Sequence, residues 1–255
     1  MKLMEWWPWY ELILKTFGFD AKRDRDAANL LSEMIVGRTA SLRELRRIIS
    51  GKRVLVLGAG PSIEKNLKDI SRIGLEKFTI ITADGAATAL MHFAKHLPNV
   101  IVTDLDGRMG DIVKANRRGS IAVVHAHGDN IDAIKKYVPR LTGKIVGTTQ
   151  SRPRPNVYNF GGFTDGDRAA FIAEAFGAKK IVLAGMDLGR WIGKYSKPRL
   201  VTDEVASPEK LKKHRMARRL LKWLSKWADA DILNVTGPGK CIEGIRNVSY
   251  RDLCK

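Results

Sequence analysis

The chain has 255 residues, of which 44% are hydrophobic, and its formal net charge is +18 at pH 7. At about 150 residues per domain this length allows one or two domains, and α/β folds often run longer as a single unit. We therefore expect one α/β core with a small appendage. No run of about 18 consecutive apolar residues exists, which excludes a transmembrane helix. The N-terminal segment lacks the basic start and the small-residue cleavage site of a signal peptide, so we expect a cytoplasmic protein without a membrane partner.

The basic surplus favours anionic ligands such as nucleotides. Lys and Arg residues are spread along the chain, with a denser run from Lys210 to Trp227. A non-enzymatic nucleic-acid-binding protein is therefore one alternative, although the same charge would also help to recruit ATP. The two cysteines, Cys241 and Cys254, have no C-x-x-C spacing, which predicts free thiols and no metal site.

Residues 1–50 predict an N-terminal helical arm, ahead of a second unit over residues 51–255. Asp24–Val36 and Ser41–Ser50 place apolar residues at three- and four-residue spacing, as amphipathic helices do. The second of these segments begins with a Ser-x-x-Glu capping box. Four aromatic residues precede both segments: Trp6, Trp7, Trp9 and Tyr10. They fit either a cap on the core of this chain or burial in a second copy of it, so a homo-oligomer stays open.

From Arg53 onward, short runs rich in Val and Ile alternate with helical patterns. The runs are continuously apolar, as in strands covered on both faces. They predict strands at Arg53–Gly58, Phe78–Ala83, Asn99–Asp104, Ser120–Ala126, Gly143–Thr149, Lys180–Gly185 and Asp231–Thr236. Helices are predicted between most of them, for example at Ser62–Ile73, Gly85–His96 and Thr164–Phe176. The alternation predicts an α/β fold with a doubly wound, mostly parallel sheet, whose strand ends share one ligand-binding edge.

The turn after the first strand contains Gly58, Gly60 and Ser62 and leads into a helix. The free N–H groups at a helix N-terminus can bind phosphate, and glycines let the phosphate approach the backbone. Ile63 stands where the pattern G-x-G-x-x-G has its third glycine, which disfavours an NAD-dependent dehydrogenase. A tight strand–helix turn without a ligand is the plain alternative.

Acidic residues follow the second and third strands. Asp84 and Gly85 begin a helix with small residues, where Asp84 is either a ligand or a helix cap. Asp104 and Asp106 are two residues apart, so in an extended chain they point the same way and repel each other unless a cation neutralises them. Mg²⁺ is the natural cation, because it takes oxygen ligands and keeps positions for phosphates. A D-x-D pair also occurs in glycosyltransferases that use nucleotide sugars, which is a second alternative.

The fourth strand leads into His125, His127, Asp129 and Asn130. Two histidines invite a zinc site, but no third soft ligand has suitable spacing. Asp129 fits better as a further oxygen ligand beside the D-x-D pair. The histidines would contact phosphate or support the carboxylates.

A glycine-pair loop precedes the helix predicted at Thr164–Phe176. Its aromatic residues could stack on a flat heteroaromatic ring, and the helix begins with an acidic turn, which is ordinarily explained by the helix dipole. The residues concerned are Phe160, Gly161, Gly162, Phe163, Thr164, Asp165 and Asp167. Asp187 follows a later strand end, near Trp191.

Taken in chain order, four of these segments resemble the thiamine pyrophosphokinase superfamily. The family patterns ADGG, GD-x-DS, KD-x-TD and a glycine pair ending R-x-DH have counterparts here that read ADGAA, TDLDG, HAHGDN and GGFTDGDRA. The wording is most similar to the archaeal 6-hydroxymethyl-7,8-dihydropterin pyrophosphokinases. Gly107 replaces the family serine, and His127-Gly128 replaces the Lys-Asp pair. The C-terminal β-sandwich that carries part of the thiamine site has no counterpart, which argues against thiamine as the substrate.

The resemblance implies a kinase-type transferase that moves the β,γ-diphosphate of ATP to the hydroxymethyl group of 6-hydroxymethyl-7,8-dihydropterin and releases AMP. Such a reaction serves the biosynthesis of methanopterin or folate-like cofactors. Mg²⁺ would be held by Asp104, Asp106 and Asp129. ATP and its phosphates would contact Gly58, Gly60, Ser62, Asp84, Gly85, Thr103, Arg108, Gly128 and Asn130. The pterin would contact the glycine-pair loop from Phe160 to Asp165, together with Asp167.

Overall fold

A computed structural model describes residues 3–38 and 42–254 of the chain. The strands are β1 (Arg53–Leu57), β2 (Thr79–Ala83), β3 (Val100–Thr103), β4 (Ile121–Ala126), β5 (Ile145–Thr149), β6 (Val157–Tyr158), β7 (Lys180–Ala184), β8 (Trp191–Ile192), β9 (Glu204–Val205), β10 (Asp231–Asn234) and β11 (Arg246–Asn247). Within the described ranges, nine of them form one sheet in the order β11-β10-β7-β1-β2-β3-β4-β5-β6. Neighbours in this sheet are parallel throughout, whereas β8 and β9 form a separate antiparallel pair.

The expected doubly wound α/β fold is therefore confirmed. Each strand predicted from the sequence is present, with ends that differ by one or two residues. The strands that the sequence did not predict are β6, β8, β9 and β11, and each has only two residues. Such short segments cannot show a hydrophobic period, so pattern analysis could not find them.

Helices cover the sheet. They are α1 (Leu3–Phe17), α2 (Ala21–Met34), α3 (Leu42–Ile49), α4 (Ile63–Ser71), α5 (Asp84–Phe93), α6 (Met109–Arg117), α7 (Ile131–Tyr137), α8 (Asp165–Ala175) and α9 (Pro208–Leu224). Short 3-10 helices occur at Leu75–Lys77, Val138–Arg140 and Tyr250–Cys254. Among the residues that the structure describes, no helix is long and apolar enough to cross a membrane.

The core lies on both faces of the sheet because successive strand residues point to opposite sides. In β1, Val54 and Val56 pack in the cluster with α1, α3, α8 and α9. Leu55 and Leu57 pack on the other face, in the cluster with α4 and α5. The same opposite face continues under α2, α6 and α7. Both faces of the sheet are thus buried, as the continuously apolar strands predict.

The aromatic N-terminal residues belong to the core of their own chain. Trp6 is 0% exposed, and its ring N–H donates a hydrogen bond of 2.8 Å to the backbone carbonyl of Gln150. Trp9 packs against Trp223 of α9, with 5.5 Å between the ring centroids. Of the two arrangements left open by the sequence, the cap on the chain's own core is the one observed. The expected capping box of α3 begins at Ser41, which lies outside the described residues.

The strand order places a crevice between β1 and β7. The chain runs from β1 towards β6 on one side, and β7 then returns to pair with β1 on the other side. Open α/β sheets bind ligands outside the carboxyl ends of the strands at such a switch point. Gly58 and Gly185 meet there so closely that a Cβ built on Gly58 would lie 2.6 Å from the carbonyl oxygen of Gly185. Glycine at these positions therefore lets the two strand-end turns share the crevice.

Candidate active site

A cavity of about 410 Å³ opens at the carboxyl edge of the sheet. Its floor is made by residues that follow β1, β2, β3, β4, β5 and β7, together with the first turn of α8. Its other wall is the segment from Met186 to His214, which includes β8, β9 and the start of α9. The residues singled out from the sequence that line this cavity are Gly58, Gly60, Asp84, Gly85, Asp104, Asp106, His125, His127, Phe163, Thr164, Asp165, Asp187 and Trp191.

Three carboxylates form an acidic cluster on the cavity floor: Asp84, Asp104 and Asp106. One oxygen from each lies within 4.8 Å of the others. Leu105, between the last two, has a φ of 70°, so the backbone turns here and is not extended as the sequence interpretation assumed. The N–H of Leu105 donates a hydrogen bond of 2.8 Å to the hydroxyl of Thr103, which holds the turn. Asp104 and Asp106 thus converge because of a turn, and Thr103 serves as its support.

Burial and mutual repulsion in the acidic cluster raise the pKa values of Asp84 and Asp104. Burial raises the pKa of Asp84 well above its usual range, and the charges of Asp104 and Asp106 raise it further. Burial and then Asp106 raise the pKa of Asp104 to about 6. Asp165, at the first position of α8, also has a raised pKa, caused by burial and then by the carboxylates of the cluster. Four carboxyl groups therefore share one small space.

Three buried carboxylate oxygens in this space lack a regular hydrogen bond within the described part of the chain. Both carboxylate oxygens of Asp84 and the Oδ1 atom of Asp104 are buried without a hydrogen bond of regular geometry to any described residue. Asp84 is 5% exposed. Buried carboxylate oxygens without partners are costly unless a cation or a proton compensates them. Their chemistry fits Mg²⁺, a hard cation that takes oxygen ligands.

Lysine side chains line the opposite wall. Lys197, in the segment between β8 and β9, forms an ion pair with Asp106. Burial on its own would lower the pKa of Lys197, but the charge and the hydrogen bond of Asp106, together with the charges of Asp104 and Asp165, outweigh burial, so this pKa is raised. Lys210, in the first turn of α9, lies close enough to Lys197 that this charge adds to burial in lowering the pKa of Lys210. The cavity therefore has an acidic floor and a basic wall.

Asp129 stands apart from the acidic cluster. Its side chain is 56% exposed and lies 4.0 Å from Arg23 of α2, and it does not line the cavity. Its neighbour Asn130 is 6% exposed and donates hydrogen bonds of 2.9 Å and 2.7 Å to the carbonyl oxygens of Asp104 and His125. The structure thus brings Asp84, and not Asp129, to the D-x-D pair, and it uses Asn130 to tie two strand-end loops together.

The histidines of β4 and its following loop have different surroundings. His125 is buried, and its Nε2 atom lies 3.1 Å from a guanidinium nitrogen of Arg168. Burial and then Arg168 lower its pKa well below the usual range, so it is neutral. His127 lies 4.0 Å from Asp104, at the edge of the acidic cluster. Among the described residues, the one group of potential metal ligands that meet is the all-oxygen acidic cluster, which does not support the zinc alternative.

The glycine-pair loop is organised around two residues of α8. Asp167 is fully buried and accepts hydrogen bonds from the backbone N–H groups of Phe163 (2.7 Å) and Thr164 (2.8 Å), which completes a capping box with Thr164. Arg168 is 1% exposed and donates to the carbonyl oxygen of Phe163 over 2.9 Å. A Cβ on Gly162 would lie 2.4 Å from the Cα of Arg168, and Gly162 has a φ of 82°. Asp167 and Gly162 therefore shape the loop, and Asp165 is the acid of this turn that lines the cavity.

The two phenylalanines of this loop go to different places. Phe163 lines the cavity beside Phe19 and packs against Phe17, with ring centroids 4.7 Å apart. Phe160 packs instead against Phe176, at 5.3 Å, and does not line the cavity. One of the two predicted stacking residues is thus in position for a flat ring.

The turn after β1 is already occupied by a side chain. Ser62, before α4, donates from its backbone N–H (3.2 Å) and from its hydroxyl (2.7 Å) to the carboxylate of Asp187. A Cβ on Gly60 would lie 2.0 Å from the same carboxylate. Arg108 does not line the cavity and reaches the carbonyl oxygen of Leu200 over 3.5 Å. The carboxylate of Asp187 therefore lies at the N-terminus of α4, where the sequence predicts a phosphate of ATP.

Comparison with known proteins identifies the group of proteins to which this chain is related. Residues 28–192 match a family model described as 6-hydroxymethylpterin diphosphokinase MptE-like. The chain belongs to this family. The matched range contains each residue of the acidic cluster and the glycine-pair loop.

Three archaeal relatives of this MptE-like chain carry the name 6-hydroxymethyl-7,8-dihydropterin pyrophosphokinase. The protein from Methanothermobacter thermautotrophicus is 45% identical over 91% of this chain and 99% of its own length. The Pyrococcus furiosus protein is 46% identical over 91% of this chain and 98% of its own length. The Methanocaldococcus jannaschii protein is 43% identical over 91% of this chain and its whole length. The family resemblance read from the sequence motifs is thereby confirmed.

The fold is also found in a solved structure. It is the MAf glycosyltransferase from Magnetospirillum magneticum AMB-1, with a TM-score of 0.57 and 16% sequence identity. The match covers 91% of this chain and 39% of that one. At this level of identity the likeness concerns the fold alone.

Several cavity residues of this MptE-like chain were not found by sequence analysis. They are Phe19, Gln150, Lys197, Lys210 and Lys213. Arg168, which positions the loop, was also missed. The chain has 45 Lys and Arg residues, so the sequence does not indicate which of them lie at a functional site. Phe19 precedes the first strand, and the three lysines follow the last motif. Both segments reach the cavity through tertiary contacts, which the spacing of residues along the chain does not reveal.

Proposed function

We propose that this chain transfers the β,γ-diphosphate of ATP to the hydroxymethyl oxygen of 6-hydroxymethyl-7,8-dihydropterin, with Mg²⁺ as the metal and AMP as the second product. The observation that carries the proposal is the acidic cluster with unpartnered buried oxygens, facing lysines across one cavity. Membership of a family named for this activity supports the choice of substrates. Both substrates are cytoplasmic metabolites, so the proposal includes a cytoplasmic location.

Asp84, Asp104 and Asp106 would hold the metal in this proposal. Their oxygens meet within 4.8 Å, and two of the three carboxyl groups have raised pKa values that a bound cation would bring down. When bound, Mg²⁺ supplies neutralisation of phosphate charge, which is the main requirement of phosphoryl-transfer chemistry. Asp129 is not needed for this set, because Asp84 occupies the place that the sequence interpretation gave to it.

The reaction itself needs alignment more than a strong base. The hydroxymethyl oxygen attacks the β-phosphorus, a new C–O–P bond forms, and the bond from the β-phosphorus to the α,β-bridging oxygen breaks, so that AMP leaves. Asp165 lies two residues after Phe163 and within electrostatic reach of the acidic cluster. We assign to it the hydrogen bond from the hydroxymethyl group and the proton that this group loses. Burial and the carboxylates of the acidic cluster raise the pKa of Asp165, which makes its carboxylate a stronger proton acceptor than that of an exposed aspartate.

The pterin ring would lie at the end of the cavity that Phe19 and Phe163 form. Phe163 is fixed by Phe17, and the loop behind it is fixed by Arg168 and Asp167, so the ring can stack without reorganisation. Gln150 also lines this end and offers a polar group for the ring edge. Trp191 is 49% exposed and lines the cavity on the segment after β7, where we place the adenine of ATP.

The experiment uses ATP labelled at the β-phosphorus. The protein is incubated with this ATP, Mg²⁺ and 6-hydroxymethyl-7,8-dihydropterin, and the products are separated by chromatography. The proposal expects unlabelled AMP and a labelled pterin diphosphate, and no product when the metal is chelated. Labelled ADP would indicate transfer of the γ-phosphate alone and would overturn the proposal. A glycosyltransferase would instead consume a nucleotide sugar, so that substrate is tested in parallel.

A further inference from the structure

We propose that Lys197, between β8 and β9, and Lys210, in the first turn of α9, form a phosphate clamp, and that Lys197 exchanges Asp106 for the phosphates of the nucleotide when a divalent cation binds the acidic cluster. This inference rests on the proposed function, since it concerns the same cavity. The clamp would add two nucleotide-binding residues that none of the sequence motifs contains. Both lysines follow residue 192, where the match to the family model ends.

The clamp segment is built against the strand-end turns. A Cβ on Gly193 would lie 2.4 Å from the carbonyl oxygen of Ala59, and a Cβ on Gly85 would lie 1.9 Å from the carbonyl oxygen of Tyr195. The hydroxyl of Tyr195 donates a hydrogen bond of 2.6 Å to Glu64 of α4. Lys194 forms an ion pair of 2.9 Å with the same Glu64. Lys197 therefore extends from a backbone that is fixed on both the β1 and β2 turns.

Lys197 and the metal need the same carboxylate. The ammonium group of Lys197 pairs with Oδ2 of Asp106, whose other neighbours are Asp84 and Asp104. A divalent cation at the oxygen of Asp106 that Lys197 holds would repel the ammonium group of Lys197. The acidic cluster offers a divalent ion several oxygens at once, including the unpartnered buried oxygens of Asp84, and Lys197 can offer only one charge in return. Lys197 would therefore lose Asp106 when a divalent ion occupied the acidic cluster.

Lys210 supplies the second half of the clamp. It is the third residue of α9, whose N-terminus is capped by Ser207 through a 3.1 Å hydrogen bond from the N–H of Lys210 to the Ser207 hydroxyl. Lys213, one turn later, is paired with Glu209 at 3.1 Å, whereas Lys210 has no ion-pair partner in the part of the chain that the structure describes. The charges that act on it are those of Lys197 and Lys213 and of the carboxylates Asp106 and Asp165.

The charges of the cavity explain why the ligand is a polyphosphate. A released Lys197 beside an unpaired Lys210 creates two ammonium groups with no counterion on the same wall, and such a pair calls for an anion of more than one charge. Ammonium groups act as compact point charges towards phosphates and do not need a planar partner. A triphosphate that bridges the wall and a metal on the floor compensates the lysines and the cation together.

The first test measures Mn²⁺ binding without nucleotide, by electron paramagnetic resonance or calorimetry. Lys197→Met removes the competitor for Asp106, so we expect the variant to bind Mn²⁺ about fivefold more tightly than the unaltered protein. Lys210→Met should change this affinity by less than about twofold. Lys212→Met is the matched control, because it removes the same charge from an exposed neighbouring position of α9 that does not line the cavity. Unchanged or weaker Mn²⁺ binding by Lys197→Met would overturn the exchange.

The second test measures the dissociation constant of an ATP analogue with a methylene group between the α- and β-phosphorus, in the presence of Mg²⁺. We expect about a tenfold loss of affinity for Lys197→Met and for Lys210→Met, and no loss for Lys212→Met. Lys197→Arg, which keeps the charge, should restore most of the affinity. Equal affinities of the unaltered protein and the three methionine variants would refute the clamp. These binding measurements do not use the pterin, so a failure of the proposed pterin chemistry would be seen separately, as absence of AMP formation by the unaltered protein.

Discussion

The carboxylate of Asp24, in the N-terminal arm, accepts a hydrogen bond of 2.8 Å from the backbone N–H of Gly128, in the loop after β4. The same carboxylate accepts hydrogen bonds from the hydroxyl of Tyr10 at 2.9 Å and from the side-chain amide of Gln150 at 2.8 Å. Asp24 is 1% exposed, and Gln150 lines the cavity. The arm is therefore connected to two loops of the candidate active site.

The first prediction concerns this connection. Asp24→Ala leaves three buried donors without an acceptor, so we expect the free energy of unfolding to fall by roughly 3 kcal/mol or more. Tyr10→Phe removes one of the three hydrogen bonds and should cost about 1 kcal/mol. Chemical denaturation measures both. The Michaelis constant for the pterin should also rise in Asp24→Ala, because Gln150 loses its support; equal stability of the two variants would contradict this role of Asp24.

The fold was accessible from the sequence because its strands are long, apolar and separated by helices. A continuous run such as Ser120–Ala126, rich in β-branched residues, is typical of a strand covered on both faces, and Ile121–Ala126 forms β4. The place of the α1–α2 arm was not accessible, since Trp6 reaches the carbonyl of Gln150 across 144 residues of chain. Contacts of that kind depend on the completed fold and leave no local spacing.

The candidate site was accessible where a carboxylate directly follows a strand. Asp84, Asp104 and Asp106 lie together because parallel strands end at the same edge. Asp129 follows a strand too, but Asn130 binds the carbonyl oxygens of Asp104 and His125 and thereby sets the loop so that Asp129 is exposed. The sequence could not show which of two adjacent polar residues would be buried. Lys197 and Lys210 were missed for a different reason, since lysine is common throughout this basic chain.

The second prediction concerns the acidic cluster. Asp84→Asn removes a buried charge that two carboxylates oppose, so the metal-free variant should melt about 3 °C higher than the unaltered protein, which corresponds to roughly 1 kcal/mol in a chain of this size. The same change removes a metal ligand, so added Mg²⁺ should no longer raise the melting temperature, and turnover should fall at least about 100-fold. Differential scanning fluorimetry with and without Mg²⁺ gives both temperatures.

The variant Asp129→Asn tests in the same assay whether Asp129 is a metal ligand, as the sequence predicts, or lies outside the metal site, as in the structure. Because Asp129 is 56% exposed and faces Arg23, we expect the rise in melting temperature with Mg²⁺ to persist in this variant. Loss of that rise would make Asp129 a ligand after all. A rise that persists in Asp84→Asn would exclude Asp84 from the metal site.

The third prediction is a pH dependence of stability in the metal-free protein. Burial and Asp106 raise the pKa of Asp104 from 3.8 to about 6 in the folded state. Between these two values the folded protein holds a proton that the unfolded chain has lost, so the contribution of Asp104 to stability falls as the pH rises through this window. Asp104→Asn should lose this part of the slope. The difference between the two proteins in the free energy of unfolding, measured from about pH 4 to pH 7, isolates Asp104 from the other carboxylates.

Mg²⁺ should oppose this loss of stability. A metal binds the ionised carboxylates and competes with the proton, so stabilisation by Mg²⁺ should be small near pH 5 and large near pH 7. The increase in melting temperature with Mg²⁺, plotted against pH, tests this. An increase that is the same at both pH values would show that the acidic cluster does not titrate in this range.

The fourth prediction uses the two phenylalanines of the glycine-pair loop as a matched pair. Phe163 lines the cavity beside Phe19, whereas Phe160 packs on Phe176 and lies outside the cavity lining. Phe163→Leu should raise the Michaelis constant for the pterin by about tenfold, because a flat ring loses its stacking partner, and should leave that for ATP within about twofold. Phe160→Leu should leave both Michaelis constants within about twofold and should lower the free energy of unfolding by roughly 1 kcal/mol.

Steady-state kinetics with each substrate varied in turn distinguishes these effects. Leucine keeps most of the hydrophobic volume, so both variants should fold, and a change in the pterin constant then reports the lost aromatic ring. If Phe160→Leu raised the pterin constant and Phe163→Leu did not, the pterin would have to lie elsewhere than the end of the cavity bounded by Phe19. If Phe163→Leu raised the ATP constant alone, the places of the two substrate rings would be exchanged, with adenine at Phe163 and the pterin at Trp191, which also lines the cavity.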